Sequence, residues 1–192
     1  MTAGSAPGRR RWVRFRLANL VYGPGRRTRP FTWIGDERIA VGSLPTPKGL
    51  PELAAAEGVT HVVNCRASPQ MRFSGDLAAE RAIFGADRVA VAPMWDHGRA
   101  QPPELWAEAA EFAAAALDDP GARVLIHCQR GRRRSILVAY AVLRLRGRSP
   151  EDAARLLLDH RVEAHLVPAY RRSVEDWLAE RARDAPPAAG GA

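Results

Sequence analysis

The nine residues His127-Cys128-Gln129-Arg130-Gly131-Arg132-Arg133-Arg134-Ser135 constrain this chain more than any other stretch. Before them lies Arg123-Val124-Leu125-Ile126, a short apolar run that reads as a buried strand. After them, residues 136–145 form an apolar block with no Gly or Pro, long enough for a buried helix. A strand that feeds a helix through a tight loop directs the loop N–H groups and the positive end of the helix at one point. That geometry makes an anion site, and here the anion would meet a thiol.

The spacing within the loop carries the chemistry. Five residues separate Cys128 from Arg134, enough for the loop to curl round a tetrahedral dianion with the sulfur below the phosphorus and the guanidinium beside two oxygens. Arginine suits that place because its planar fork grips phosphate at two points and stays charged. Gly131 occupies a position where the backbone needs a conformation closed to most side chains. Ser135, opening the helix, can donate a hydroxyl hydrogen bond to the sulfur. A helix N-terminus and neighbouring arginines lower a cysteine pKa from about 8.5 into a range of roughly 3.5 to 7.5, so the nucleophile would be a thiolate at neutral pH.

His127, Cys128, Gly131, Arg134 and Ser135 together resemble the signature of the cysteine-dependent protein tyrosine and dual-specificity phosphatases, a His-Cys, five residues, then Arg-Ser or Arg-Thr. The resemblance implies phosphate monoester cleavage through a phosphocysteine, without a metal or other cofactor. It also implies roles. Cys128 attacks; the loop of Gln129, Arg130, Gly131, Arg132, Arg133 and Arg134 holds the phosphate oxygens. Arg134 binds two of them, His127 orients the loop from behind, and Ser135 stabilises the departing thiolate. In compact members the general acid is an Asp about thirty residues before the Cys, and Asp96 stands thirty-two before Cys128. Asp96 follows a strand-like run and precedes a helical one, which places it at the sheet edge where open α/β sheets keep their sites. It would protonate the leaving oxygen and then activate the water that clears the intermediate. Asp87, Asp118 and Asp119 precede their strands and so belong to the far edge.

Two rivals stay open. A rhodanese-like sulfurtransferase also has Cys, then Gly three residues on, but its Arg comes one position earlier, where Arg133 stands. A catalytically silent module that binds phosphate would keep the loop without the chemistry.

The resemblance extends over about residues 31–180. It runs from Trp33-Ile34-Gly35-Asp36 through Gly42-Ser43-Leu44-Pro45 and Gly58-Val59-Thr60-His61-Val62-Val63-Asn64, then on to Ser149-Pro150-Glu151-Asp152-Ala153 and His165-Leu166-Val167-Pro168. Within the family the chain is most similar to the branch of the phosphatidylglycerophosphate phosphatases. It departs from that branch at Asn64-Cys65-Arg66-Ala67, where acidic residues would follow the Asn. The substrate implied is therefore a phosphorylated protein or an anionic phospholipid.

Hydrophobic residues make up 46 % of 192 residues, enough for one globular core. Periodicity predicts strands near residues 38–42, 60–65, 88–92 and 123–127, and helices near 50–57, 104–117, 135–146, 150–159 and 168–182. This alternation predicts an α/β fold, a single domain with a mostly parallel central sheet flanked by helices, dual-specificity phosphatase-like. The domain is expected over residues 31–182, with a basic aromatic lead-in at 1–30 and a disordered C-terminal tail at 183–192.

The net charge of +8 is local. Eight arginines (Arg9, Arg10, Arg11, Arg14, Arg16, Arg26, Arg27, Arg29) precede the first acidic residue, Asp36, and the other 21 basic residues balance 21 acidic ones. With Trp12, Phe15, Leu17 and Tyr22 among them, residues 9–29 have the composition of a segment that touches an anionic membrane surface. A lead-in that packs on the domain is the other reading, and nucleic-acid binding the least favoured. No stretch is long and apolar enough to span a bilayer, so the expected location is cytoplasmic, peripheral to a membrane at most. Cys65 ends a predicted strand that parallel pairing could bring beside Cys128; it reads as a small buried thiol before a redox partner.

Overall fold

The computed structural model describes residues 30–184. The lead-in at 9–29 and the tail beyond Asp184 lie outside the described residues. Among the described residues are five strands, β1 (Phe31–Trp33), β2 (Ile39–Gly42), β3 (His61–Asn64), β4 (Val89–Val91) and β5 (Val124–His127). Between and after them run α1 (Leu50–Ala55), α2 (Ser68–Ser74), α3 (Asp76–Phe84), α4 (Ala107–Ala116), α5 (Arg134–Leu145), α6 (Pro150–His160) and α7 (Pro168–Asp184). Single 3₁₀ turns at Ala86–Arg88 and Pro103–Leu105 lead into β4 and α4. The sheet order is β1-β2-β5-β3-β4. β1 is antiparallel to β2 and the other pairs are parallel, so the sheet is mixed, with an antiparallel edge.

Side-chain alternation along each strand divides the core in two. Ile39, Val41, Val63, Val124 and Ile126 face one side, with α4 and α5. Ala40, Val62 and Leu125 face the other, with Leu50 and Leu53 of α1 and Phe84 of α3. β5 is central and buried at all four positions, as a parallel strand covered on both faces should be. Helix α5 is buried at every residue from its first turn through Leu143, and each large aliphatic side chain there contributes about 1.5–3 kcal/mol. This helix therefore has one allowed position, and the loop that enters it inherits that constraint.

Two local devices fix the chain on either side of β5 and α5. Arg38 takes a left-handed conformation, φ 59°, and its guanidinium donates to the carbonyls of Leu117, Asp119 and Ala122. It thus ties together the carbonyls where α4 ends and the chain turns into β5, that of Asp119 also accepting the Ala122 N–H. Ser149 caps α6 by accepting the Asp152 N–H at 3.0 Å, with Pro150 at the first helical position.

The structure adds elements that periodicity misses. Trp33 lies within β1, whereas the sequence reading put it ahead of the first strand; three residues on an edge are too few to show alternation. Residues 68–84 form two helices split at Gly75, φ 69°. Helix α3 buries Asp76, Glu80 and Phe84. Two of the three residues on its inward stripe are carboxylates, so no apolar stripe marks it. Helix α7 continues to Asp184, so Arg183 and Asp184, expected in a disordered tail, are helical.

Candidate active site

The register of the sheet delivers the loop. His127 pairs with Gly42 on one side and Asn64 on the other, which leaves Cys128 as the first residue beyond β5. Its N–H still reaches the Gly42 carbonyl, at 3.3 Å. Three residues on, the backbone turns through Gly131 at φ 63° and aims the Gly131 N–H at Cys128 Sγ, 3.2 Å away. A Cβ on Gly131 would stand 2.4 Å from the Gly42 carbonyl carbon, so both the conformation and the space demand glycine.

Cys128 is 1 % exposed. Burial alone would raise its pKa. The Arg134 charge, the Ser135 hydroxyl, and the Ser135 and Arg130 N–H groups outweigh burial and lower it to about 7. The Ser135 Oγ stands 3.5 Å from the sulfur. No side chain caps α5, and the Ser135 N–H in its first turn is directed at the sulfur.

Arg134 and Arg133 part company. Arg134 is 3 % exposed and donates through Nη1 to Gln70 Oε1 and to the Met94 carbonyl, each at 3.0 Å. Its Nε is buried without a hydrogen-bond partner. Arg133 turns outward, with 44 % of its side chain exposed, and lies 3.6 Å from Asp96 Oδ1. The side chains of Arg130 and Arg132 are also exposed, and Gln129 is half-buried.

Asp96 follows the C-terminal end of β4 and has a 35 % exposed side chain. The turn after it is closed by His97 Nδ1, which accepts the Arg99 N–H at 3.1 Å. The loop is held at its far end. The buried Gln101 side chain donates to the Trp95 carbonyl and the Tyr170 hydroxyl, and the Gln101 main-chain carbonyl accepts from the Trp106 indole. Tyr170 and Ser173 on α7 accept the N–H groups of Gly98 and Gln101.

Behind the loop sits a buried polar layer. His127 Nε2 lies 2.9 Å from Glu80 in a fully buried ion pair. Burial would lower the His127 pKa, but Glu80, then Asp76 and Cys128, raise it. Asn64 Nδ2 donates to Asp76 and Glu80, and Arg66 pairs with Asp76 at 2.6 Å. Against burial, Arg66, Ser74 and Asn64 hold the Asp76 carboxyl below its ordinary range. Sequence reasoning overlooked Glu80, Gln70, Gln101 and Arg161; each acts across a long sequence separation, and none falls in a local motif. Cys65 and Cys128 are both free thiols. Burial and then the neighbouring Cys128 push the Cys65 thiol well up, so it stays protonated at neutral pH.

This arrangement of sheet and helices is the fold of the protein tyrosine and dual-specificity phosphatases. The structure of PTPMT1 in complex with PI(5)P superposes with a TM-score of 0.67 at 22 % identity, covering 81 % of this chain and 99 % of that one. Tk-PTP in its active form gives 0.64 at 26 % identity, covering 80 % and 98 %. A human tyrosine phosphatase-like serine/threonine/tyrosine-interacting protein gives 0.64 at 19 %, covering 79 % and 97 %. No protein-family model matches the sequence, and no curated protein sequence matches it. Among the described residues no helix is long and apolar enough to cross a membrane.

Proposed function

We propose that this protein is a cysteine-dependent phosphomonoester hydrolase, with residues 31–182 as its catalytic domain. The observation that carries the reading is the surroundings of Cys128. A thiol with its pKa lowered to about 7 accepts the Gly131 N–H, beside an arginine whose Nε has no other partner. Nε is one of the two donors of the fork edge that grips an oxyanion. In the first step Cys128 Sγ attacks phosphorus and the ester oxygen leaves with a proton from Asp96. In the second, Asp96 takes a proton from water as that water's oxygen attacks the phosphocysteine, releasing phosphate and the thiolate. Loop N–H groups and Arg134 stabilise the equatorial oxygens as charge develops. Ser135 holds the thiolate when it departs, and His127, paired with Glu80, fixes the strand end from which the loop starts.

Exposure argues against the sulfurtransferase register, because Arg133, the residue it requires inside the loop, points to solvent beside Asp96. The silent binding module keeps its place because a fold serves more than one activity. The substrate is a phosphoprotein or an anionic phospholipid. PTPMT1 was solved with PI(5)P, and here Trp95, beside Asp96, is 54 % exposed and offers an apolar edge to either kind of substrate. Contact of residues 9–29 with an anionic membrane would favour the lipid.

The test is turnover of an aryl phosphate, then of phosphotyrosyl peptides, phosphoinositides and phosphatidylglycerophosphate. Cys128→Ser should abolish hydrolysis while vanadate still binds. Iodoacetate labelling of Cys128 in the wild type should rise with pH about a midpoint near 7. Retained turnover in Cys128→Ser would overturn the mechanism, and vanadate binding without any turnover would favour the silent module.

A further inference from the structure

Arg161 plays no part in the steps above, yet it is among the most deeply buried charged groups of the described residues, at 1 % exposure. It ends α6, its N–H bonded to the Leu157 carbonyl, and its side chain reaches the phosphate loop from outside. Nε donates to the Gly131 carbonyl at 2.6 Å and Nη1 to Thr32 Oγ1 on β1 at 3.1 Å. Nη2 is buried without a hydrogen-bond partner, 3.9 Å from Glu163. Burying a guanidinium is costly unless its surroundings compensate. Burial does depress its pKa, and the opposing influences come from Glu163 and Cys128.

The contact with Gly131 matters because of peptide geometry. In a trans peptide the C=O of one residue and the N–H of the next point in opposite directions. Pulling the Gly131 carbonyl outward onto Arg161 therefore turns the Arg132 N–H inward. The same holds on either side. The Gln129 carbonyl is held outside by the Leu44 N–H at 3.5 Å, and the Arg132 carbonyl by the His165 N–H at 2.8 Å. These turn in the N–H groups of Arg130 and Arg133. The Arg130 N–H does hydrogen-bond Cys128, which is what this construction requires. Of these three outer tethers, two are main-chain amides; only Arg161 is a side chain, and it alone bridges the loop to β1.

We propose that Arg161 is a positioning residue of the phosphate loop: by holding the Gly131 carbonyl outward against β1, it presets the Arg132 N–H to receive a phosphate oxygen. The inference rests on the phosphatase reading. It assigns a role in recognition to a residue outside the Cys-to-Arg loop. It also assigns Thr32 the part of steadying the guanidinium.

The experiment uses the full chain and the variants Arg161→Met, Arg161→Lys and Thr32→Val. Vanadate affinity, aryl phosphate kinetics, the pH profile of Cys128 alkylation and the thermal midpoint are measured for each. Arg161→Met should weaken vanadate binding and lower kcat/KM by about 10- to 100-fold, the order expected when a preset donor is lost or misplaced. Its alkylation midpoint should rise above the wild-type value. Arg161→Lys keeps the charge without the fork, so it should restore the midpoint but not the vanadate affinity. Thr32→Val should show a smaller loss of the same kind, and it supplies the reading if Arg161→Met does not fold. Variants that lose only thermal stability, with wild-type vanadate affinity and alkylation midpoint, would overturn the positioning role. A wild-type protein that neither binds vanadate nor hydrolyses aryl phosphate would instead overturn the phosphatase reading itself.

Discussion

The loop from Cys128 to Arg134 and the loop that carries Asp96 meet at one place but are built to different standards. The first is buried at both ends, its carbonyls tied outward by Leu44, Arg161 and His165, and its Gly131 wedged against Gly42. The second is fixed at Gln101, yet Asp96 itself stands at the surface with Arg133, 3.6 Å away, as its ion-pair partner. An exposed pair of that kind is worth only about 0.2–1 kcal/mol. Stabilising charge on a phosphate demands donors that do not move during the reaction. Delivering a proton to the leaving oxygen demands a group that can approach and withdraw. On the phosphatase reading proposed above, the difference in rigidity matches the difference in task.

Substitutions at Asp96 test that division most severely. Asp96→Asn should lower turnover of alkyl phosphates by about 10²- to 10⁴-fold, and that of nitrophenyl phosphate much less, because nitrophenolate departs without a proton. A loss independent of the leaving group would show that Asp96 shapes its loop and donates nothing. On the rigid side, Arg134→Ala should cost about 10²- to 10³-fold in kcat/KM for both kinds of substrate, read by steady-state kinetics at fixed pH. Equal losses for Arg134→Ala and Arg133→Ala would return the sulfurtransferase register to contention.

The layer behind the rigid loop should answer in stability. Glu80→Gln removes one partner of a buried ion pair and should destabilise the fold by about 3–5 kcal/mol in urea unfolding. Because Glu80 raises the His127 pKa in the folded state, the pair's contribution is complete below the ordinary histidine value of 6.5 and is lost as pH rises through the raised one. The stability gap between wild type and Glu80→Gln should therefore narrow at high pH; a gap that widens would reject the charged pair. Smallest of all, Arg133→Ala should alter aryl phosphate turnover by less than about fivefold, the range of an exposed ion pair.

How far the sequence can be read depends on the distance over which a residue acts. Cys128, Gly131, Arg134 and Ser135 lie within one strand-loop-helix unit, so their spacing alone suggests the anion site, and the run of α5 is unmistakable. The groups that hold this unit in place lie far off in sequence. Gln70 reaches Arg134 from α2, Glu80 reaches His127 from α3, and Arg161 reaches Gly131 from the end of α6. Helix α3 hides for a physical reason, since its fully buried positions are Asp76 and Glu80 in the polar layer and Phe84 in the apolar core, with Leu77 and Ala79 only half-buried beside that core. Strand β1 hides because it is three half-buried residues on a sheet edge: Phe31 and Trp33 pack on the second core and Thr32 between them meets Arg161, an alternation too short to recognise.

The tethering of the loop to Thr32 and Arg161, near opposite ends of the described chain, makes the site a property of the assembled whole. A synthetic nine-residue copy of the loop would have no outer groups to turn its carbonyls away, and grafting it onto another strand and helix would import the sequence without the shape. A chain that has closed only the β3–β5 pairing has no Gly42 for Gly131 to rest on. On the phosphatase reading, appearance of hydrolytic activity during refolding should therefore coincide with completion of the entire sheet, and a fluorogenic phosphate would report folding in real time.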